Sequence, residues 1–573
     1  MLTPMMKLLT RTYTRLGPDI VVVVWLIVWW GCNLLQGAFS ELANDEAYYR
    51  MFAGQLAWGY FDHPPLTALL VHTGCTLAGG ELGVRLLFTL LQPLYLYILW
   101  HLVRPADASR RDGELFVMIA GATLMLQLYG FLAVPDGPLL MTSALFLLTF
   151  RWFAEQRRGA WLLMGVAMAL MAYSKYHGAL VVLFALAANP QLLKRPDLYL
   201  SGAMAGILLV PHLMWQYDHN WVSLVYHLSG RNGVFRWNYV TDFAANMLVV
   251  FNPLFVPLYV QAWRKTQADD AVRRALRLFP VAFIGFFLLS ACRGYVQPQW
   301  TIVAAFGLIY LLFDYARHHP RTRRYVMRAG WTTLAIVALV RLVMIFNPLH
   351  IRYEVFDNRA SYGEIARIAD GRPVIFRDRY SVAAQYMFYT GGEAYCQPNI
   401  YYRTHQWQLR DDDTRFAGRE VVLETSPRPA SDTLLHTESV ELTNGKWFTW
   451  TVVDNFRPVR LVNILCETWP RNVQPGERLH LVLRIENPYS YDIEIGNETS
   501  LVLVARNRKR GIEEFSTDVV ATLPAGGSAT VEVDFRVPET WAGSRPEVGF
   551  TLRREGYTYW FNGQSHRLKV EKR

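Results

Sequence analysis

The chain has 573 residues, 52% hydrophobic, 14% aromatic and 18% charged, with a formal net charge of +10. Soluble proteins carry about 25% charged residues, so the deficit points to a membrane and excludes disorder, a collagen-like repeat and a small disulfide scaffold. Residues 1–348 hold 28 Lys and Arg against 17 Asp and Glu, whereas the last 225 residues hold 29 against 30. The chain thus reads as a basic membrane body followed by a water-soluble tail, and the place of the basic excess argues against nucleic acid as a partner.

A helix crosses the hydrocarbon core with about 20 mostly apolar residues. In chain order, apolar runs occupy residues 19–38, 82–103, 114–132, 137–153, 159–173, 177–189, 198–214, 244–262, 278–292, 299–315 and 329–346, which predicts eleven spans. With the N-terminus in the cytoplasm, the inside segments carry 21 basic residues and the outside loops before 348 carry five: Arg50, Lys175, Arg231, Arg236 and Arg293. By the positive-inside rule this fixes the orientation, and an odd number of spans exports the tail. The first span reads as an uncleaved anchor, because it is too long for a signal peptide and no A-x-A type site follows it cleanly.

The tail divides again. Residues 349–455 mix strand-like PVIFR, REVVLET and WFTWTVVD with helical SVAAQYMFY, which predicts a small α/β unit. From 456 the short alternating runs RLVNILCE, RLHLVLRIE, SLVLVARN, SATVEVDF and PEVGFTLRR, separated by turns such as QPGE and PAGGS, predict an immunoglobulin-like β-sandwich. Trp469, Tyr489, Tyr491, Tyr557, Tyr559 and Trp560 are expected to fill its core rather than stack on sugar rings. Five cysteines make no disulfide framework, and Cys396 and Cys466 are expected to be free and buried.

The first external loop, residues 39–81, is aromatic but not apolar enough to span. With Asn44 as N-cap, positions 47, 48, 51, 52 and 56 fall on one face, predicting an amphipathic interfacial helix. Asp62-His63-Pro64-Pro65 breaks it, and a second such helix is expected over 66–79. The pair would hold Asp45 and Glu46 where headgroups meet water. On position alone, Asp45 serves equally as a first-turn carboxylate on the helix dipole or as a catalytic base, and Asp136 in AVPDGPLL equally as an N-cap. Lys175 and His177 in YSKYHG read first as side chains at a helix end reaching for water, and His63 as a turn residue. The external loop 215–243 adds Asp218, His219, His227, Arg231 and Arg236, and CRGYVQPQW adds Arg293, Gln297, Gln299 and Trp300. Two carboxylates and several cations at a lipid interface suit a phosphate-bearing lipid substrate, with cations on the phosphate and a carboxylate taking a proton.

The segment ELANDEAYYRMFAGQLAWGYFDHPPLTALL with GGELGVRLLFTLL resembles the first external loop of bacterial family 39 glycosyltransferases, the GT-C relatives of protein O-mannosyltransferases and of the aminoarabinose transferase. PDGPLL, SKYHGALVVL, PHLMWQYDHNWVSLVYHLSGR, FNPL and RDRYSVAAQYMFYTGG resemble later motifs in the same order, covering most of residues 40–400. The resemblance implies a GT-C body over 1–348 that takes a sugar from a polyprenyl-phosphate carrier, with Asp45 deprotonating the acceptor hydroxyl. Asp136 matches the second acidic position, and Glu46, His63 and Tyr48 are further candidates for acceptor or supporting roles. Lys175, His177, Arg231 and Arg293 are candidates for the donor phosphate by charge and side alone. No cofactor is required; a divalent metal on Asp45, Glu46, His63 or Asp218 is compatible with the residues, but no spacing demands one. The implied setting is a bacterial inner membrane, with undecaprenyl phosphate as carrier and an envelope lipid, glycan or protein as acceptor. Two other readings stay open: a flippase or transporter of a lipid-linked sugar, although no repeat is visible, and a non-catalytic scaffold with a binding β-sandwich.

Overall fold

The computed structural model describes residues 17–230, 235–426, 436–507 and 511–572. The chain divides into two compact units, one ending at Phe356 and the other beginning at Asp357.

The first unit is helical, and most of each apolar run lies in helix. Among the described residues six helices are long and apolar enough to cross a membrane: Pro18–Phe39, Gly80–Val103, Asp136–Ala154, Pro196–Asp218, Ala271–Ala291 and Pro320–Phe346. Ala160–Ser174 and Gly178–Ala187 are shorter and apolar. Three runs are interrupted: 114–132 divides into Arg110–Gly121 and Leu124–Tyr129, 244–262 into Trp237–Val250 and Val256–Lys265, and 299–315 into the short 3-10 turn Pro298–Thr301 and Ala304–His318. At the second break Asn252 takes a positive φ of 71° and donates to Ala122 O (3.0 Å) and to Thr333 Oγ1 (3.0 Å), so the exposed backbone of the first break is tied to the second. One continuous core joins these helices. It includes Trp100, Phe116 and Phe313, whose rings meet at 5.3–6.1 Å.

The first external loop folds as two helices, Asn44–Ala53 and Leu66–Leu77. Ala47, Tyr48, Met51 and Phe52 are buried, as the amphipathic pattern requires. Two details differ from expectation. Asn44 is the first helical residue and Ala43 the cap, because the Glu46 carboxylate reaches back to the Ala43 N–H at 3.0 Å. Leu56 lies beyond the helix and is exposed.

In the second unit, Val374–Phe376 pairs in parallel with Ala394–Cys396 and with Val421–Glu424. Parallel neighbours need a crossover, and the helix Tyr380–Thr390 supplies it, ending at Gly391 in the left-handed region (φ 70°). Trp447–Val453 and Glu438–Glu441 extend this sheet antiparallel. From 456 the unit is β-rich. Arg478–Glu486 alternates strictly, with Leu479, Leu481, Leu483 and Ile485 inward, and pairs antiparallel with Ser528–Arg536. Thr499–Asn507 and Glu547–Arg554 form the centre of a second sheet. Residues of both sheets share one core with Tyr489 and Trp541, against which Trp469 and Tyr491 pack. Arg460 joins the β-rich part to the α/β part, donating to Asp413 at 2.9 and 3.1 Å and to Asp411 at 2.8 Å. Cys396 and Cys466 are buried and form no disulfide.

Candidate active site

Glu46 is fully buried and takes four hydrogen bonds. Arg85 Nε and Nη2 approach its two oxygens at 2.7 and 2.5 Å, and the backbone N–H groups of Ala43 and Ala133 complete the set at 3.0 and 2.9 Å. Arg85 spends its remaining donors on the end of the first long helix: Gly37 O (3.2 Å), Ser40 O (2.6 Å) and Glu41 O (2.8 Å). One guanidinium therefore stops a helix whose last carbonyls have no partner of their own and fixes the start of the next. Asp45 is the neighbour of Glu46 on that helix and is only partly buried. Glu46 supplies the reach-back cap of this helix, and Asp45 is the other carboxylate of its first turn. Asn44 is held in turn by Glu354 at 2.5 Å, so residues just past the last long helix return to the same loop.

Asp136 opens its helix buried, and Lys175 Nζ meets its Oδ1 at 2.7 Å, with both side chains almost entirely out of solvent. An ammonium has three donors, and this is the only one that Lys175 commits among the described residues. Tyr129 lies within electrostatic range of Asp136, Asp45 and Tyr353, which puts the two candidate acids around one phenol. Sequence position suggested that Lys175 and Asp136 act separately; the structure makes them a pair. Tyr129 and Arg85 were missed as site residues. Both lie within apolar runs, 114–132 and 82–103, where the sequence pattern reads as membrane span.

The stretch from Trp58 through the DHPP turn is anchored by the last turns of Pro196–Asp218 and the segment that follows it. His212 Nδ1 meets Trp58 O at 2.6 Å, and His227 Nε2 meets Asp62 O at 2.9 Å. Gln216 donates to Tyr176 Oη (2.9 Å) and to Ser223 Oγ (2.7 Å), which donates on to Tyr60 O (2.8 Å). His63 packs against Tyr49 and His227, with ring centroids at 5.5 and 6.2 Å. Tyr48 is fully buried against Phe52, 4.5 Å between rings, so it supports the interfacial helix. His177 packs on Trp300 and Phe287 at 5.1 and 5.4 Å, which joins YSKYHG to CRGYVQPQW. Arg293 is exposed just past Ala271–Ala291 and makes no side-chain bond among the described residues. Arg231 lies outside the described residues. Asp218 is exposed, and His219 stacks on Trp215 at 4.1 Å. Among the described residues no group of three or more His, Cys, Asp and Glu is arranged to hold a metal ion.

Residues 62–215 match the model of the dolichyl-phosphate-mannose-protein mannosyltransferase family. Over 296 residues the chain is 23% identical to the lipid A galacturonosyltransferase RgtD of Rhizobium johnstonii, an alignment covering 48% of this chain and 60% of that one. The fold is similar to ArnT from Cupriavidus metallidurans, in its apo state and bound to undecaprenyl phosphate. Each comparison gives a TM-score of 0.56 at 14% identity, over 75% of this chain and 97% of the other. The match begins at the DHPP turn and includes Asp136 and Lys175, so it covers the buried ion pair but not Asp45. The chain is a multi-pass membrane protein that shares the fold of ArnT and, over residues 62–215, resembles the dolichyl-phosphate-mannose-protein mannosyltransferase family.

Proposed function

We propose that the protein is an inverting glycosyltransferase that moves a sugar from a polyprenyl-phosphate donor, undecaprenyl phosphate being the carrier, to an envelope lipid, glycan or protein. The observation that carries this is the buried Asp136–Lys175 pair, with Asp45 at the start of a helix that the Glu46–Arg85 pair holds in place. Asp45, on a rigidly held helix start, takes the proton from the acceptor hydroxyl. The acceptor oxygen bonds to the anomeric carbon while the bond from that carbon to the phosphate oxygen breaks. The polyprenyl phosphate leaves with the electron pair, and Lys175, with two N–H groups uncommitted among the described residues, stabilises its added charge. His177 and Arg293 are further phosphate candidates by position. A base on one face and cations on the other give inversion.

In this reading the chain crosses a bacterial inner membrane eleven times, with the N-terminus in the cytoplasm, and the site faces the periplasm. Residues 1–348 form the catalytic body, 349–455 a periplasmic α/β domain and 456–573 an immunoglobulin-like sandwich. ArnT bound to undecaprenyl phosphate and the lipid A galacturonosyltransferase supply the precedent for carrier and acceptor class.

The test is mass spectrometry of envelope lipids and glycans from cells carrying wild-type protein, Asp45→Asn or none. The variant must be present at the normal level with an unchanged melt. One defined sugar mass should vanish equally in the deletion and the variant. Full restoration by Asp45→Asn would sink the base assignment and favour a transporter or scaffold. Adding a chelator to membranes with donor and acceptor reads metal dependence in the same product.

A further inference from the structure

Within the helical unit, a groove of about 450 Å³ runs between the helices Pro18–Phe39, Arg110–Gly121 and Pro320–Phe346. Its walls are apolar and aromatic, including Trp25 and Trp331 in edge contact at 6.0 Å. Val28 and Trp331 line it while staying 53% and 52% exposed, so it opens onto the lipid-facing side of the body. Met327 and Arg341 both border it, and their fourteen-residue separation along one helix makes the groove about 21 Å long at 1.5 Å per residue. That is most of a hydrocarbon core of about 30 Å.

Two charged residues line the groove: Glu114, which is paired with Arg110 at 3.5 Å, and Arg341, five residues before its helix stops at Phe346. Arg341 donates to Asn33 Oδ1 (2.8 Å), to Gln127 O and Oε1 (2.9 and 3.0 Å) and to Cys32 O (3.4 Å). All of these acceptors are neutral, and no carboxylate pairs with it among the described residues. A second cation is close, since the Arg341 and Arg85 guanidinium groups both sit against the Phe131 ring, 5.5 and 5.6 Å from its centroid. Arg85 has Glu46 to neutralise it; Arg341 has no equivalent. An intramembrane arginine without a counter-charge is costly, and an anion near the helix end would offset that cost.

We infer that this groove binds an anionic phospholipid of the outer leaflet, one acyl chain along the tryptophan-lined wall and the phosphate on Arg341. Glu114 is offset by Arg110, so Arg341 alone sets the direction of the lipid. The leaflet follows from the orientation proposed above; the binding itself does not depend on the catalytic reading. The site is separate from Lys175, where the donor phosphate is placed.

The test is native mass spectrometry of the full-length protein in detergent, titrated with phosphatidylglycerol, phosphatidylethanolamine or undecaprenyl phosphate. Phosphatidylglycerol should bind about tenfold more tightly than phosphatidylethanolamine. Arg341→Gln should abolish that preference, Arg341→Lys should keep most of it, and Lys175→Gln should leave it unchanged. Ala338→Trp, on an exposed groove position, should block the site without removing any polar contact, which keeps the test decisive if Arg341→Gln misfolds. Equal binding of the two phospholipids, or phosphatidylglycerol binding untouched by both Arg341→Gln and Ala338→Trp, would overturn the inference. So would an Arg341-dependent site that undecaprenyl phosphate fills in preference to phosphatidylglycerol. Loss of sugar transfer in Lys175→Gln with the lipid preference intact would separate the two readings.

Discussion

Arg85 Nη2 and Glu46 Oε2 lie 2.5 Å apart with side chains 1% and 0% exposed. Desolvating both charges is costly, and the pair holds because each remaining donor and acceptor is also satisfied. Removing one partner leaves the other charged in an apolar surround. Arg85→Met and Glu46→Leu should each cost about 3–5 kcal/mol, read as a large fall in Tm and in folded yield from detergent. The double variant should recover a substantial part of that loss, and a cycle showing simple additivity would contradict the pairing. Asp45→Asn should leave Tm within a few degrees. Neighbouring acids thus separate by assay, one through stability and the other through turnover.

Lys175 and Asp136 form a second buried pair, but one that leaves donors over. Asp136→Asn and Lys175→Gln should each destabilise by about 3 kcal/mol or more, since each strands a buried charge. Combining them removes both charges and should restore much of the stability while leaving sugar transfer at background. Recovery of transfer in the double variant would show that the pair only supports structure and that the donor phosphate is held elsewhere.

The broad architecture could be read from the chain because burial follows period. Leu479, Leu481, Leu483 and Ile485 alternate, and long apolar runs became the helices of the body. The break over residues 251–255 was hidden because the apolar run continues through it, although Asn252-Pro253 is a turn signal. The site was legible by segment rather than by partner. Asp45, Asp136 and Lys175 stood out as polar groups beside apolar runs, but their pairings are long-range: 39 residues separate Glu46 from Arg85, and 39 separate Asp136 from Lys175. A charge inside a span was the usable signal for Arg85, because an intramembrane arginine needs a partner.

Gly59 carries a further expectation. A Cβ built there would lie 2.3 Å from Cε3 of Trp215, so the WGYF turn passes against the indole only because position 59 has no side chain. Gly59→Ala should push the turn away from the helix and strain the neighbouring His212–Trp58 bond of 2.6 Å. Overpacking of this kind costs about 1–3 kcal/mol. Gly59→Ala with Trp215→Leu should regain most of the loss, measured by Tm of the detergent-solubilised protein. An unchanged melt in the single variant would show that the indole moves aside freely.

His405 makes the second unit sensitive to acid. Its side chain is fully buried, near the rings of Tyr380 and Tyr402, and burial pushes its pKa down to about 3. The folded imidazole therefore stays neutral where an unfolded one, near 6.5, takes up a proton. Below pH 6.5 the unfolded state binds more protons, so this contribution to stability is complete above 6.5 and is lost as pH falls toward 3. At pH 5 the loss should be about 2 kcal/mol, from about 1.4 kcal/mol for each unit below 6.5. Hydrogen exchange in the full-length protein should then show Val374–Phe376 and Ala394–Cys396 opening more readily at pH 5 than at pH 7, after correction for intrinsic rates. His405→Phe removes the titrating group and should flatten that difference. Persistence of the full acid sensitivity in the variant would assign it to other groups in the unit.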